Sequence, residues 1–244
     1  MKCLIIIPAY NEAESIEQVV DNLIENFPQY DYLIVNDGST DNTAKICREN
    51  GYQVTNLPIN MGIGGAVQTG YRYAYANDYD IAVQMDGDGQ HDPSYLEQML
   101  SYIENREADV VIGSRFVTKE GFQSSGIRRT GITFLSMLGL VLTGKRVKDI
   151  TSGYRAVNRA FIKVFAEDYP FDYPEPEAMV MVATLKGKIK EYPVIMRERA
   201  GGTSSITPRK SIYYMVKVSL AMIIRKISFG VRRDKKDKTN QKKK

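Results

Sequence analysis

The chain has 244 residues, 43% hydrophobic and 25% charged, the balance of a soluble globular protein with one large domain or one domain plus appendages. Two cysteines, Cys3 and Cys47, are too few for a disulfide scaffold or a cysteine zinc site, and the lone His91 excludes a multi-histidine metal centre and leaves Ser-His-Asp chemistry only with His91 as its base. The net charge of +4 is unevenly placed: residues 209–244 carry 13 Lys/Arg against two acids, a net of +11, which leaves residues 1–208 at −7.

In chain order, Cys3 to Ile7 reads as a buried strand, and the spacing of Ile16, Val19, Val20, Leu23, Ile24 and Phe27 predicts an amphipathic helix. Tyr32 to Val35 is the next strand. Asp41 caps a helix expected to run to Asn50 and stop at Gly51. Gln53–Leu57 is strand-like, Gly65–Ala76 helical, Ile81–Met85 a strand, and a helix opened by Pro93 runs to about Asn105. Val110 to Ile112 is a further buried strand. This alternation predicts an α/β fold with a mostly parallel sheet flanked by helices. Helices are expected over Ile127–Leu142, Asn158–Ala166 and Glu177–Lys186, and a strand over Ile189–Met196.

Residues 211–231 are apolar enough to approach a bilayer span, but Lys217 lies inside the stretch and Arg225-Lys226 near its end. A central lysine costs about 2.5–3.5 kcal/mol on insertion scales. A helix lying on the membrane surface or against a membrane partner is expected instead, with packing on the domain's own core as the alternative. The basic tail suits an anionic surface. Nucleic acid is not expected, because the body is acidic and the tail is not interleaved with aromatic residues. The apolar run at the N-terminus is too short for a secretory signal, so a cytoplasmic, reducing compartment is expected.

Chemistry concentrates where strands end. Asp86-Gly87-Asp88-Gly89-Gln90 follows an apolar strand, so two carboxylates emerge at its carboxyl end, where open α/β sheets bind ligands. Two acids one residue apart, with Gln90 as a neutral oxygen donor, suit Mg²⁺ or Mn²⁺ bound together with phosphate oxygens. Asp37 follows the second strand and can accept hydrogen bonds from a base or ribose. Pro8-Ala9-Tyr10-Asn11-Glu12 follows the first, where Tyr10 offers a ring face and Glu12 an acceptor. Asn60-Met61-Gly62-Ile63-Gly64-Gly65 lacks dinucleotide spacing because Val67 stands where the third glycine belongs. Gly139 to Lys145 fails as a P-loop because Arg146 replaces the required Ser/Thr. The arginines Arg115, Arg128, Arg129, Arg155, Arg197 and Arg199 are candidates to converge on a polyanion.

Together these elements resemble glycosyltransferase family 2, and within it the polyprenyl-phosphate, dolichyl-phosphate mannosyltransferase-like sugar transferases. The match runs in order through Pro8 to Glu12, Asp37-Gly38-Ser39-Thr40-Asp41, Asn60-x-Gly62, Asp86 to Gln90, Gly113-Ser114-Arg115, Asp149-x-x-Ser152-Gly153-x-Arg155 and Arg199-x-x-Gly202-x-Ser204. The resemblance implies a GT-A (Rossmann-like) fold over residues 1–208, followed by an amphipathic membrane-associating helix at 209–233 and a basic, disordered tail at 234–244. It implies metal-dependent, inverting transfer from a nucleotide-sugar donor to undecaprenyl or dolichyl phosphate, for cell-envelope glycan or glycoconjugate synthesis.

By the same resemblance, Pro8, Ala9, Tyr10, Glu12, Asp37, Asn60, Gly62 and Asp86 bind the nucleotide sugar. Asp86, Asp88 and Gln90 hold Mg²⁺ or Mn²⁺. Asp88, Arg115 and Arg199 are catalytic, and Ser114, Arg128, Arg129, Ser152, Arg155 and Ser204 meet the acceptor phosphate. The chain departs from the family at Ser205, where lysine is common, with Arg209 and Lys210 as the nearest replacements. It has no Trp and no Gln-x-x-Arg-Trp element, so a processive synthase is not expected. The alternative is a saccharide or protein hydroxyl acceptor, which needs a carboxylate base: Asp149, Glu175 or Glu177. Relatives often carry a pair of transmembrane helices after the catalytic domain; the sequence here predicts instead attachment to the cytoplasmic face of the membrane, with a small integral membrane protein as a further expected partner.

Overall fold

The first apolar run forms β1 (Cys3–Ala9), and its side chains alternate between two cores. Leu4 and Ile6 enter one, Cys3, Ile5 and Ile7 the other, so a strand covered on both faces reads as one continuous hydrophobic stretch. The computed structural model describes residues 1–117, 126–197 and 208–241, with side chains over 1–117, 129–197 and 213–229.

After β1 come α1 (Ile16–Asn26), β2 (Asp31–Asn36), α2 (Thr43–Glu49), β3 (Val54–Asn56), α3 (Gly62–Ala76) and β4 (Ile81–Gln84). A 3₁₀ turn at Pro93–Tyr95 leads into α4 (Leu96–Glu104), followed by β5 (Val110–Ser114) and α5 (Gly126–Thr143). The remaining elements are β6 (Arg155–Asn158), α6 (Arg159–Glu167), α7 (Pro174–Thr184), β7 (Ile189–Pro193) and α8 (Pro208–Gln241).

The seven strands lie in the order β3-β2-β1-β4-β6-β5-β7. All pairings are parallel except those of β6, which runs antiparallel between β4 and β5. The sheet is therefore mostly parallel, as expected, but β6 is an addition. Its four residues are too short to show a period, and it is recognisable only by its register, with Arg155 opposite both Gln84 and Ile112. Asn158, expected inside a helix, instead caps α6 by accepting a hydrogen bond from the Phe161 amide at 3.1 Å. Helix α7 starts at Pro174 rather than Glu177, consistent with proline's fit in a first helical turn.

Helix α8 runs to Gln241, so it extends into the segment expected to be a disordered tail. No Gly or Pro follows Gly230 to stop it. It also packs on the domain itself: Val218, Met222 and Phe229 are buried in the same core as α7 residues Ala178 to Val182. Its other side leaves Tyr213, Val216, Leu220, Ile224 and Ile227 exposed.

Candidate active site

The strand order reverses between β1 and β4, which opens a crevice at their carboxyl ends. Two loops meet there on one side. The Asp37 amide donates to the Ala9 carbonyl at 2.8 Å, so the segments after β1 and β2 run side by side. Asp37 is buried, and its Oδ1 accepts from the Met61 amide at 2.7 Å. Burial pushes this carboxyl above its usual range, against the opposing pull of the Met61 and Gly62 amides. Asn60 and Gly62 are thereby brought to Asp37. Asn60 is exposed, with its Oδ1 accepting from the Gly62 amide at 3.1 Å. Tyr10 is 47% exposed at the rim.

The turn after β1 is held by its own polar residues. Asn11 adopts φ +57°, a left-handed conformation that asparagine tolerates, and its Oδ1 accepts from the Thr40 amide at 2.8 Å. Asp41 accepts from the Thr43 hydroxyl at 2.6 Å and from the Ala13 amide at 3.1 Å. It binds two loops together rather than serving as a simple helix cap. Burial raises its pKa, but the Thr43 and Ala13 donors outweigh that and hold it below the usual carboxylate range.

The diacid loop is equally fixed. Ser15, at the start of α1, donates to the Gly87 carbonyl at 2.8 Å and faces Glu12 Oε2 at 3.1 Å, which couples Glu12 to the loop. Asp88 is 6% exposed, and its Oδ1 accepts from the Gln90 amide at 3.0 Å. Gln90 is further engaged with the segment after β7: its Nε2 donates to the Arg197 carbonyl at 3.2 Å, and the Arg197 amide donates to the Gln90 carbonyl at 3.1 Å. Arg197 closes the staple with a 2.6 Å contact to Asp92.

His91 is a site residue whose role sequence reasoning missed. It is buried, stacks on Tyr154 with centroids 4.9 Å apart, and its Nδ1 accepts from the Asp86 amide at 3.0 Å. Its Nε2 lies 3.9 Å from Asp86 Oδ2. Its position just after the diacid was the only available signal.

Among the described residues, no three His, Cys, Asp or Glu side chains gather into a cage of their own. The donor set nevertheless fits a hard divalent ion that brings phosphate oxygens with it. It offers two carboxylates at a strand end, with Asp86 half-buried.

The expected acceptor cluster is only partly assembled. Arg115 forms a buried bidentate ion pair with Asp149, Nε to Oδ2 at 2.8 Å and Nη2 to Oδ1 at 2.7 Å. Both groups bind the loop after α5 to β5, and Asp149 is engaged by Arg115 through both carboxylate oxygens. Arg155 is fully buried, and its guanidinium donates to the Ser152 and Glu175 carbonyls. Ser152 donates to the Gly113 carbonyl at 2.7 Å, and Ser114 is buried beside it. These three form a strut under the site rather than a phosphate cradle. Arg129 is exposed and lies over the Phe116 ring at 5.9 Å. The side chain of Arg128, together with Arg199 and Ser204, falls outside the described residues.

Of the other candidate bases, Glu177 pairs with Arg225 of α8 at 3.2 Å, away from the diacid. Glu175 is half-buried and within electrostatic reach of Asp86; burial raises its pKa, partly offset by Arg155. Tyr71 and Tyr169 feel the same Arg155 and Glu175. Their hydroxyls and Gln84 Oε1 are buried without a partner among the described residues. Each such group costs about 1–3 kcal/mol.

An open cleft of about 690 Å³ lies on the α2 side, lined in part by Gly38, Ser39, Arg48 and Asn56. It borders the Asp37 loop, and its lining does not include Asp86 or Asp88.

Open α/β sheets bind their ligands at such a crevice, which places the chain in the ligand-binding α/β class. Comparison with known proteins narrows the class. The chain belongs to glycosyl transferase family 2, whose profile matches residues 4–166, and it is a glycosyltransferase. It is 33% identical over 244 aligned positions to a UDP-N-acetylglucosamine–dolichyl-phosphate N-acetylglucosaminyltransferase of Methanococcus voltae, covering 90% of this chain and 97% of that one. It is 32% identical over 219 positions to an undecaprenyl-phosphate mannosyltransferase of Micrococcus luteus, covering 85% and 88%. Its fold matches glucosyl-3-phosphoglycerate synthase from Mycobacterium tuberculosis, solved with Mn²⁺, uridine diphosphate and phosphoglyceric acid. The TM-score is 0.66 at 20% identity, over 92% of this chain and 78% of that one.

Proposed function

We propose that the protein transfers a sugar, with inversion, from a nucleotide-sugar donor to a polyprenyl phosphate at the cytoplasmic face of a membrane. The observation that carries the donor half is the placement of Asp86 and Asp88 at the strand-order reversal, across the crevice from Asp37 and Tyr10. The acceptor half is supported by the two relatives whose names specify dolichyl and undecaprenyl phosphate.

On this reading Pro8, Ala9, Tyr10, Asp37, Asn60 and Gly62 position the nucleoside, while Asp86, Asp88 and Gln90 hold Mg²⁺ or Mn²⁺. When bound, that ion supplies positive charge to the departing diphosphate. Asp88, kept nearly dry and oriented by the Gln90 amide, is set before substrate arrives. An acceptor phosphate oxygen attacks the anomeric carbon. The bond from that carbon to the donor phosphate oxygen breaks, and its electron pair leaves with the nucleoside diphosphate. Because the acceptor is already anionic, no base is needed, and catalysis is positioning plus charge stabilisation. Arg129, Arg199 and Ser204 are the residues proposed to meet that phosphate.

Two surfaces support membrane attachment. Val216, Leu220, Ile224 and Ile227 on α8 are exposed apolar residues, as are Phe134, Met137 and Val141 on α5, a helix packed beside it. The net +11 over residues 209–244 complements an anionic leaflet, which attracts each lysine or arginine by about 1 kcal/mol. Among the described residues no helix is long and apolar enough to cross a membrane. A small integral membrane protein seated on this face remains part of the proposal.

The test is a panel of labelled nucleotide sugars offered with undecaprenyl phosphate, with and without chelator. A lipid-linked monosaccharide formed only without chelator supports the reading. Transfer to a saccharide hydroxyl, with none to lipid, refutes it and favours Glu175 as a base.

A further inference from the structure

Resting on the divalent-ion reading above, we propose that Gln84 is a positioning residue for Asp86: its amide aims the carboxylate at the ion. Gln84 is the last residue of β4 and is fully buried. Its Nε2 donates to Asp86 Oδ1 at 3.3 Å. The same amide supports the Glu175 carboxylate and favours its ionised form. Turning the amide over would set Oε1 against two acidic groups, so the chemistry of its neighbours dictates which end faces them. The other end, Oε1, is left buried with no partner among the described residues. A fold selecting for stability alone would fill this position with an apolar side chain, as at Ile81, Ala82 and Val83 before it.

The surroundings serve the same contact. A Cβ on residue 153 would stand 3.0 Å from both Asp86 Oδ2 and Gln84 Nε2, so Gly153 keeps open the space where amide and carboxylate meet. Arg155 holds the adjacent backbone, binding the Ser152 carbonyl and the Glu175 carbonyl at the start of α7. His91 fixes the Asp86 main chain from the other side through the 3.0 Å bond to its amide. Main chain and side chain of Asp86 are thus secured independently, and Gln84 secures the side chain. Groups that orient a metal ligand typically account for 10–100-fold in metal affinity.

The experiment measures Mn²⁺ binding by electron paramagnetic resonance in the presence of uridine diphosphate, for the full chain and for Gln84→Met and Gly153→Ala. Gln84→Met keeps the volume and removes both amide ends; Gly153→Ala leaves Gln84 in place and wedges a methyl into the contact. The expected result is Mn²⁺ affinity weakened about 10-fold in each. Equal Mn²⁺ affinity in wild type and both variants overturns the positioning role and leaves the divalent-ion reading intact. A wild-type protein that binds uridine diphosphate but no Mn²⁺ overturns both. If Gln84→Met does not fold, Gly153→Ala decides by the same criterion.

Discussion

Arg115 and Asp149 meet in a two-pronged ion pair at 2.7 and 2.8 Å, with the Asp149 side chain wholly buried and that of Arg115 10% exposed. The Arg115 amide adds a third bond to Asp149 at 3.0 Å. Main chain and side chain of one residue thus converge on a single carboxylate, and the loop from Lys148 to Gly153, which runs beneath the diacid, is clamped to the end of β5.

Removing one partner of such a pair strands a charge in the interior, which typically costs about 3–5 kcal/mol. Arg115→Ala and Asp149→Asn are therefore expected to lower unfolding free energy by that amount in urea titrations. Arg115→Lys should recover only part of it, because lysine cannot present two parallel donors. A variant of full stability that nevertheless lost transfer would favour the catalytic reading of Arg115.

Asp88→Asn tests the diacid directly. Gln90's amide can still bond the asparagine oxygen, so the loop should keep its shape while the ion loses a charged ligand. Transfer should fall by at least about 100-fold, in the range seen for loss of one preorganised electrostatic group, with the thermal midpoint little changed. Retained turnover in Asp88→Asn would show that the acidic pair does not serve the diphosphate.

The exposed stripe on α8 predicts a separable membrane function. Leu220→Glu, Ile224→Glu and Ile227→Glu together place charges on side chains that already face solvent. Stability should change by less than about 1 kcal/mol. Flotation with vesicles containing phosphatidylglycerol should be lost, along with transfer to vesicle-embedded undecaprenyl phosphate, while transfer to detergent-dispersed acceptor persists. Deletion of the whole helix is a poor test, since Val218, Met222 and Phe229 are part of the core.

The Asp92–Arg197 contact should give a defined acid response. Burial alone would raise the Asp92 carboxyl, but the Ser94 amide and hydroxyl and the Arg197 guanidinium outweigh it and hold the pKa below its usual value. Because the folded-state pKa is depressed, the contribution to stability is complete above the unfolded value, about pH 4, and fades as pH falls through the lower folded value. Arg197 is largely exposed, so the effect is at most about 1 kcal/mol. Asp92→Asn should be slightly less stable than wild type at pH 7, with the difference shrinking below about pH 4. A gap that widened on acidification would contradict the assignment.

Much of the site is legible without coordinates because it is local. An apolar strand followed by Asp86-Gly87-Asp88 puts carboxylates at the end of a strand wherever the sheet lies, whereas the Asn11 and Asp41 contacts to Thr40 and Ala13 bridge segments 28 or 29 residues apart. The ordered series of motifs from Pro8 to Ser204 carries the family on its own. Other features depend on partners far along the chain. Arg115 and Asp149 are 34 residues apart in sequence, and nothing near either indicates that one cancels the other. Arg155 and Ser152 carry polar groups that sequence alone assigns to a ligand; the antiparallel insertion of β6 buries them instead. Gln84 reads as an ordinary strand residue until Asp86, Gly153 and Glu175 surround it. Local hydrogen bonding and hydrophobic period are written residue by residue, whereas burial and charge pairing belong to the folded arrangement, and these decide which polar side chains face a substrate and which hold the sheet together.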